Sequence, residues 1–283
     1  MALKMIVQIK AAVAKHWVGD GFPVRTLFSY RSPVITVSPF LLLDYAGPED
    51  FKPTDKIRGV DKHPHRGFET VTIVYSGQLE HRDNAGHTGK IGAGDVQWMT
   101  AGRGVLHEEW HGEEFSKAGG VFEVVQLWVN LPIKDKMTKP KYQEIIADRI
   151  PVLNGDGWYC RIIAGNYLGV QGAATTFSSI NVWDMHSEAH TQQKIEIPEG
   201  YSTILLLRRG KIMVNDAATL EAGHITFFDT QGDAIEISTL DDAEFLLLSG
   251  EVIDEPIVGA GPFVMHSEEE LKKAYADYRE GRF

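Results

Sequence analysis

The 283-residue chain carries a formal net charge of -11, and 43% of its residues are hydrophobic and 10% aromatic. Those proportions belong to a folded globular protein, while the acidity argues against direct partners that demand a basic face, nucleic acid and anionic membranes among them. The single cysteine, Cys160, excludes an intramolecular disulfide and a thiolate zinc site, and reads as a small core residue.

At the N-terminus, MALKMIVQIKAAVAKHW alternates apolar residues with scattered lysines. It lacks the apolar stretch and small-residue cleavage site of a signal peptide, and no run along the chain reaches transmembrane length. A reducing, cytoplasmic setting is expected. The next informative feature is His63-Pro64-His65, echoed further on by His107-Glu108-Glu109. Residues i and i+2 of a strand point to one face, so each pair aims two donors at one point. Two facing strands would then assemble three imidazoles and a carboxylate, a mixed nitrogen and oxygen set suited to a divalent transition metal. Glu108 would point away.

Between these pairs the chain reads as short strands and turns. Glu69 to Tyr75 (ETVTIVY) ends at Ser76-Gly77, Gln78 to Arg82 follows, and Asp83-Asn84-Ala85-Gly86 turns the chain. Lys90-Ile91, a Gly92-Ala93-Gly94 turn and Val96 to Met99 continue the rhythm, which suggests a sandwich or barrel. Gly102-Arg103-Gly104 precedes no helical pattern, so it is not read as a phosphate loop. Trp98-Met99 and Phe227-Phe228 read as core. His81, His87, His111, His224 and His266 stand alone and read as structural or exposed. His186 and His190, four apart, would lie about 13 Å apart on a strand, too far to share an ion.

Leu131 to Lys141 (LPIKDKMTKPK) is basic, proline-flanked and poor in core residues, and reads as a linker. The two sides of it resemble each other. HPHRGFETVTIVYSG (His63 to Gly77) has the length of EIPEGYSTILLLRRG (Glu196 to Gly210), and IGAGDV (Ile91 to Val96) parallels LEAGHI (Leu220 to Ile225). Aligning the turn glycines moves the four ligand positions to Glu196, Pro198, Glu236 and Ser238, with no histidine among them. Two similar β-barrels are expected, residues 1–132 with a metal and 133–283 without. The tail from Ser267 to Arg282 reads as a helix, with Ser267 and Glu270 spaced as a capping box and Leu271, Ala274, Tyr275 and Tyr278 forming an apolar stripe.

The H-x-H pair, the acid four residues later, the turn glycines and the later histidine resemble the cupin superfamily. The strings HPHRGFETVTIVYSGQLEHRD, GDVQWMTAGRGVLHEE, QLWVNLPIKDKMTKPKYQEI and GPFVMHSEEELKKAYADYREGRF are similar to the pirin family within it. That resemblance runs from about Phe40 to Phe283. It implies an all-β bicupin, two jelly-roll barrels packed together with a C-terminal α-helix, holding Fe(II) in the N-terminal barrel through His63, His65, His107 and Glu109. Glu69 occupies the position of the ligating glutamate in many other cupins; in the pirin pattern that role passes to Glu109. The ligand set alone does not select the metal, so zinc, nickel, copper or manganese could replace iron on isolation. Arg66, Gln126 and Asp44 are candidates for the polar groups that orient the ligands.

For activity, the resemblance implies a quercetin 2,3-dioxygenase using a small aromatic flavonol and dioxygen. The flavonol's 3-hydroxyl, alone or with its 4-carbonyl, would coordinate the metal, whose charge favours the deprotonated form. Ring cleavage would release carbon monoxide and form a depside, with Glu109, once off the metal, or a carboxylate behind the ligands as the base. The alternative is a regulatory, transcription-cofactor-like protein whose iron oxidation state controls binding of a protein partner.

Overall fold

The computed structural model describes residues 2–11, 13–31 and 37–283. The strands fall where the alternation places them. Glu69 to Tyr75 lies within strand Phe68–Ser76, Gln78 to Arg82 within Gln78–Asp83, and Val96 to Met99 within Val96–Thr100. Gly77 makes the first of these turns at φ +93°, and a Cβ there would press on the Phe122 ring at 2.8 Å. Only glycine meets both conditions cheaply.

The chain forms two compact units. The first comprises residues 14–29, 40–147 and 253–283, and contains two large antiparallel sheets besides a two-stranded one, Val258–Ala260 with Phe263–Met265. Its seven-stranded sheet runs Lys141–Ile145, Val96–Thr100, Phe68–Ser76, Gly120–Asn130, Phe40–Phe51, Phe22–Ser29 and His16–Val18. Its four-stranded sheet runs Gly59–His65, Val105–His111, Gln78–Asp83 and Thr88–Gly92. The described part of the second unit, residues 2–11, 13, 30–31, 37–39 and 148–252, repeats this plan of seven strands and four. The internal repeat is therefore real at the level of topology, and both units have the two-sheet jelly-roll plan expected of an all-β bicupin.

These contacts divide the chain differently from a cut at 132/133. Strand Ile6–Lys10 pairs with Ile225–Phe228 at the edge of the second unit's sheet. The tail instead joins the first unit, where Phe263 bridges Arg66. The segment read as a linker is anchored as well. Lys136 is 1% exposed, and its Nζ donates to the carbonyls of Gly67 (2.9 Å) and Val264 (3.0 Å) and to Asn130 Oδ1 (2.8 Å). Burial lowers its pKa to about 8. Three well-placed acceptors offset the cost of burying the ammonium, which composition alone does not reveal.

In the first unit, Phe22, Phe51, Phe115 and Phe122 close one end of the sandwich. His111 belongs to this cluster, its ring 4.6 Å from that of Phe122 and its Nε2–H donating to the Gly21 carbonyl at 2.8 Å. The second unit is filled by apolar side chains, including Trp183, Leu205, Phe245 and Cys160. Burial pushes the Cys160 thiol up, in keeping with a packing role.

The tail helix spans Glu268–Arg279, and the Ser267 hydroxyl accepts from the Glu270 N–H at 3.2 Å. Glu270 does not complete the box, because its carboxylate lies 2.6 Å from His266 Nδ1. Ser267→Ala is expected to lower stability by about 1 kcal/mol, read as a shift of the urea midpoint. No helix among the described residues is long and apolar enough to cross a membrane.

Candidate metal centre

Strands Gly59–His65 and Val105–His111 are antiparallel neighbours, with His63 directly opposite His107 and His65 opposite Val105. Alternation turns His63, His65 and His107 to one face. Their ring centroids lie 4.3–4.9 Å apart, and ligand atoms of the three lie within 4.8 Å of one another. Glu109, one alternation beyond His107, enters a second cluster with His107 and His81 within the same limit. The structure thus gathers the three expected histidines, places Glu109 beside His107, and adds His81.

The donors have their lone pairs available. His63 Nδ1–H donates to the Asp61 carbonyl at 2.9 Å, leaving Nε2 as the base. His65 Nδ1 and His107 Nε2 are buried with no hydrogen-bond partner, a costly state for polar atoms. Burial, reinforced by the neighbouring histidines, holds both imidazoles well below their ordinary pKa, so both are neutral at pH 7. A divalent cation fits this set: it takes up the orphaned lone pairs and needs neutral imidazoles.

Orienting groups surround the donors. Gln97 Nε2 donates to Glu109 Oε1 at 2.7 Å, and Gln126 Nε2 donates to Oε2 at 3.2 Å. The Tyr142 hydroxyl donates to Gln97 Oε1 at 3.0 Å and fixes that amide. His107 Nδ1 lies 3.4 Å from His81 Nδ1. With His107 donating, its Nε2 keeps the free lone pair. His81 Nε2 then faces Asp83 Oδ2 at 3.5 Å. Burial opposes ionisation of Asp83, yet donors from His81 and His87 hold its pKa down at about 2. Asp83, His81 and His107 thus stand in line, an arrangement that would favour the tautomer of His107 with Nε2 free.

Other residues divide as follows. Gln126 is an orienting group, as expected. Asp44 stands opposite it in register, takes a 2.6 Å hydrogen bond from the Thr26 hydroxyl, and is pushed up by burial. Arg66 does not orient a ligand; its side chain pairs with Asp277 at 2.8 Å. Glu108 turns outward to Arg82 Nε at 2.7 Å. Glu69 lies on the opposite face of its strand from Phe68, whose ring packs 5.1 Å from His65. Burial raises the Glu69 pKa to about 7, and the Thr100 hydroxyl donates to it at 2.7 Å. The sequence reads His81 as an isolated structural or exposed residue; it is instead buried beside His107 and Glu109, and His81-Arg82-Asp83 repeats the i,i+2 spacing of the two ligand pairs.

Beside the histidines, Leu42 pairs with Trp128 and Asp44 with Gln126, and all four side chains are only partly buried. Trp128 stacks on Phe68 at 4.3 Å, with its ring 5.3 Å from His65. The donor cluster therefore adjoins one partly exposed aromatic ring, Trp128, and two partly exposed polar groups, Asp44 and Gln126. In the second unit, register places Lys194 opposite Glu236 where the first has His63 opposite His107, and the two form a 3.2 Å ion pair. The first-strand positions differ by two from Glu196 and Pro198 because the following loop is longer.

Among known proteins, residues 21–129 match the pirin family and residues 182–283 match the pirin C-terminal cupin domain. The chain belongs to the pirin family. It is 49% identical over 283 residues, 99% of each chain, to a Pseudomonas aeruginosa protein with the provisional name quercetin 2,3-dioxygenase. A pirin-like protein of Solanum lycopersicum is 36% identical, covering 93% of this pirin and 88% of the tomato chain. The crystal structure of a quercetin 2,3-dioxygenase from Acinetobacter baumannii superimposes with a TM-score of 0.97 at 48% identity, covering 100% of this chain and 99% of that one.

Proposed function

We propose that this pirin is a cytoplasmic, Fe(II)-dependent quercetin 2,3-dioxygenase that cleaves a flavonol with dioxygen. The carrying observation is the juxtaposition of the donor cluster with the partly exposed Trp128 ring, which the buried Phe68 backs. The names of the Pseudomonas and Acinetobacter relatives support the same substrate class. His63, His65, His107 and Glu109 would hold the metal, with His81 behind His107. Bound there, a divalent metal supplies Lewis acidity that favours the ionised 3-hydroxyl of the flavonol.

The protein's own groups do the rest. Trp128, held in place by the buried Phe68 stacked against it, offers an aromatic face against which a flat ring system packs. Asp44 and Gln126, at the partly open edge, are placed to fix the orientation of its hydroxyl groups. Glu109 Oε2, on the Gln126 side, is the carboxylate oxygen assigned to take the 3-hydroxyl proton. Gln97 and Gln126 hold that carboxylate in one orientation through the step.

The test is anaerobic loading with Fe(II), then quercetin and air, following oxygen uptake and loss of flavonol absorbance, with His63→Ala as control. Turnover by the parent alone is expected. No turnover with one iron bound per chain would overturn the proposal and leave the redox-responsive binding protein as the reading. Separately, Gln97→Ala is expected to weaken metal retention by about tenfold or more, measured by competition with a chromogenic chelator.

A further inference from the structure

In the first unit, the loop carrying Arg103, the 137–140 segment and the tail helix line an open cleft of about 710 Å³. None of His63, His65, His107 or Glu109 lines it. Five cationic side chains do: Arg66, Arg103, Lys139, Lys273 and Arg282, against one acidic side chain, Asp277. This concentration occurs on a chain whose formal charge is -11. Even counting an α-carboxylate on Phe283, positive groups outnumber negative ones five to two.

Asp277 is already fully engaged, with Arg66 Nη1 at 2.8 Å, Lys273 Nζ at 2.8 Å and Arg282 Nε at 2.9 Å. Arg103 and Lys139 have no acidic partner among the described residues and are exposed. Arg66 is 3% exposed, and its Nε has no hydrogen-bond partner. A buried guanidinium N–H without an acceptor is costly, and cations held together repel. One guest relieves the repulsion: an anion with several oxygens, which arginine forks bind in bidentate fashion and lysine binds as a point charge.

We propose that this cleft binds a small polyanion bearing phosphoryl or carboxylate groups, at a site separate from the metal centre. Its volume lies within the range of roughly 300–1,000 Å³ typical of small-molecule sites.

The test is calorimetric titration of the full chain with inorganic phosphate and with citrate at constant ionic strength, with acetate as the monovalent control. The same titrations are run on Arg103→Glu, Lys139→Glu and the double variant. Both residues are exposed and unpaired, so folding should persist, checked by circular dichroism. Saturable binding of at least one polyanion with Kd below about 1 mM is expected, weakened about tenfold or more in the double variant. Phosphate binding alone assigns the phosphoryl class, and citrate binding alone assigns the carboxylate class. Failure of both to bind, binding of acetate as tight as theirs, or equal affinity in the double variant would overturn the proposal.

Discussion

His107→Ala is expected to abolish metal retention, with affinity falling by well over about 100-fold, more than loss of an outer orienting group costs. His107 is the ring shared by both donor clusters, one with His63 and His65 and one with His81 and Glu109. Removing it breaks the geometry of the other donors and leaves His81 without its partner. Equilibrium dialysis against Fe(II) or Zn(II), followed by elemental analysis, reads the effect. His186→Ala, which removes a ring stacked on Tyr159 4.9 Å away in the second unit, is the control expected to keep full occupancy. Equal occupancy in His107→Ala would show that the metal binds elsewhere.

The second large effect is structural. Asp277→Asn is expected to destabilise the protein by about 3–5 kcal/mol. It removes the carboxylate that compensates Arg66, whose side chain is only 4% exposed and whose guanidinium sits 4.2 Å from the Phe283 ring. The exposed pair of Arg282 with Glu280 offers a contrast; Glu280→Gln should cost less than about 1 kcal/mol. Hydrogen bonds from Lys273, then Arg66 and Arg282, hold the Asp277 carboxyl well below the usual carboxylate range. A depressed folded-state pKa stabilises the protein above the unfolded value of about 3.9 and loses that contribution as pH falls. Urea midpoints of the parent should therefore drop on acidification below about pH 4, and Asp277→Asn should show less of that drop.

What was legible in the sequence was periodic or local. The i,i+2 pairs His63/His65 and His107/Glu109 announce a shared face because strand geometry alone fixes it. Turn glycines such as Gly77 mark strand ends, and Ser267 marks the start of the tail helix. The repeat could be aligned because both halves place glycines at equivalent turns, although a longer loop shifted one strand of that alignment by two residues.

What was hidden depends on partners distant in sequence. His81 becomes part of the site because its strand lies beside Val105–His111, with His81 opposite Glu109. Gln97 reaches Glu109 from another sheet. Lys136 looked like linker because its acceptors, Gly67 and Val264, lie on other segments of the unit. The exchange at the ends, with Ile6–Lys10 on the second unit's sheet and the tail on the first unit, is a matter of edge pairing and docking. Hydropathy patterns do not encode either one.

As proposed, His63, His65, His107 and Glu109 together hold a single metal ion. An anomalous difference map from a crystal of the Fe(II)-loaded chain, collected at the iron edge, tests it most directly. One iron peak per chain is expected, bonded by three imidazole nitrogens and one oxygen of Glu109, with His81 hydrogen-bonded to His107 and not to the iron. Iron bound by His81 in place of one of the three histidines, or lying away from Glu109, would contradict it.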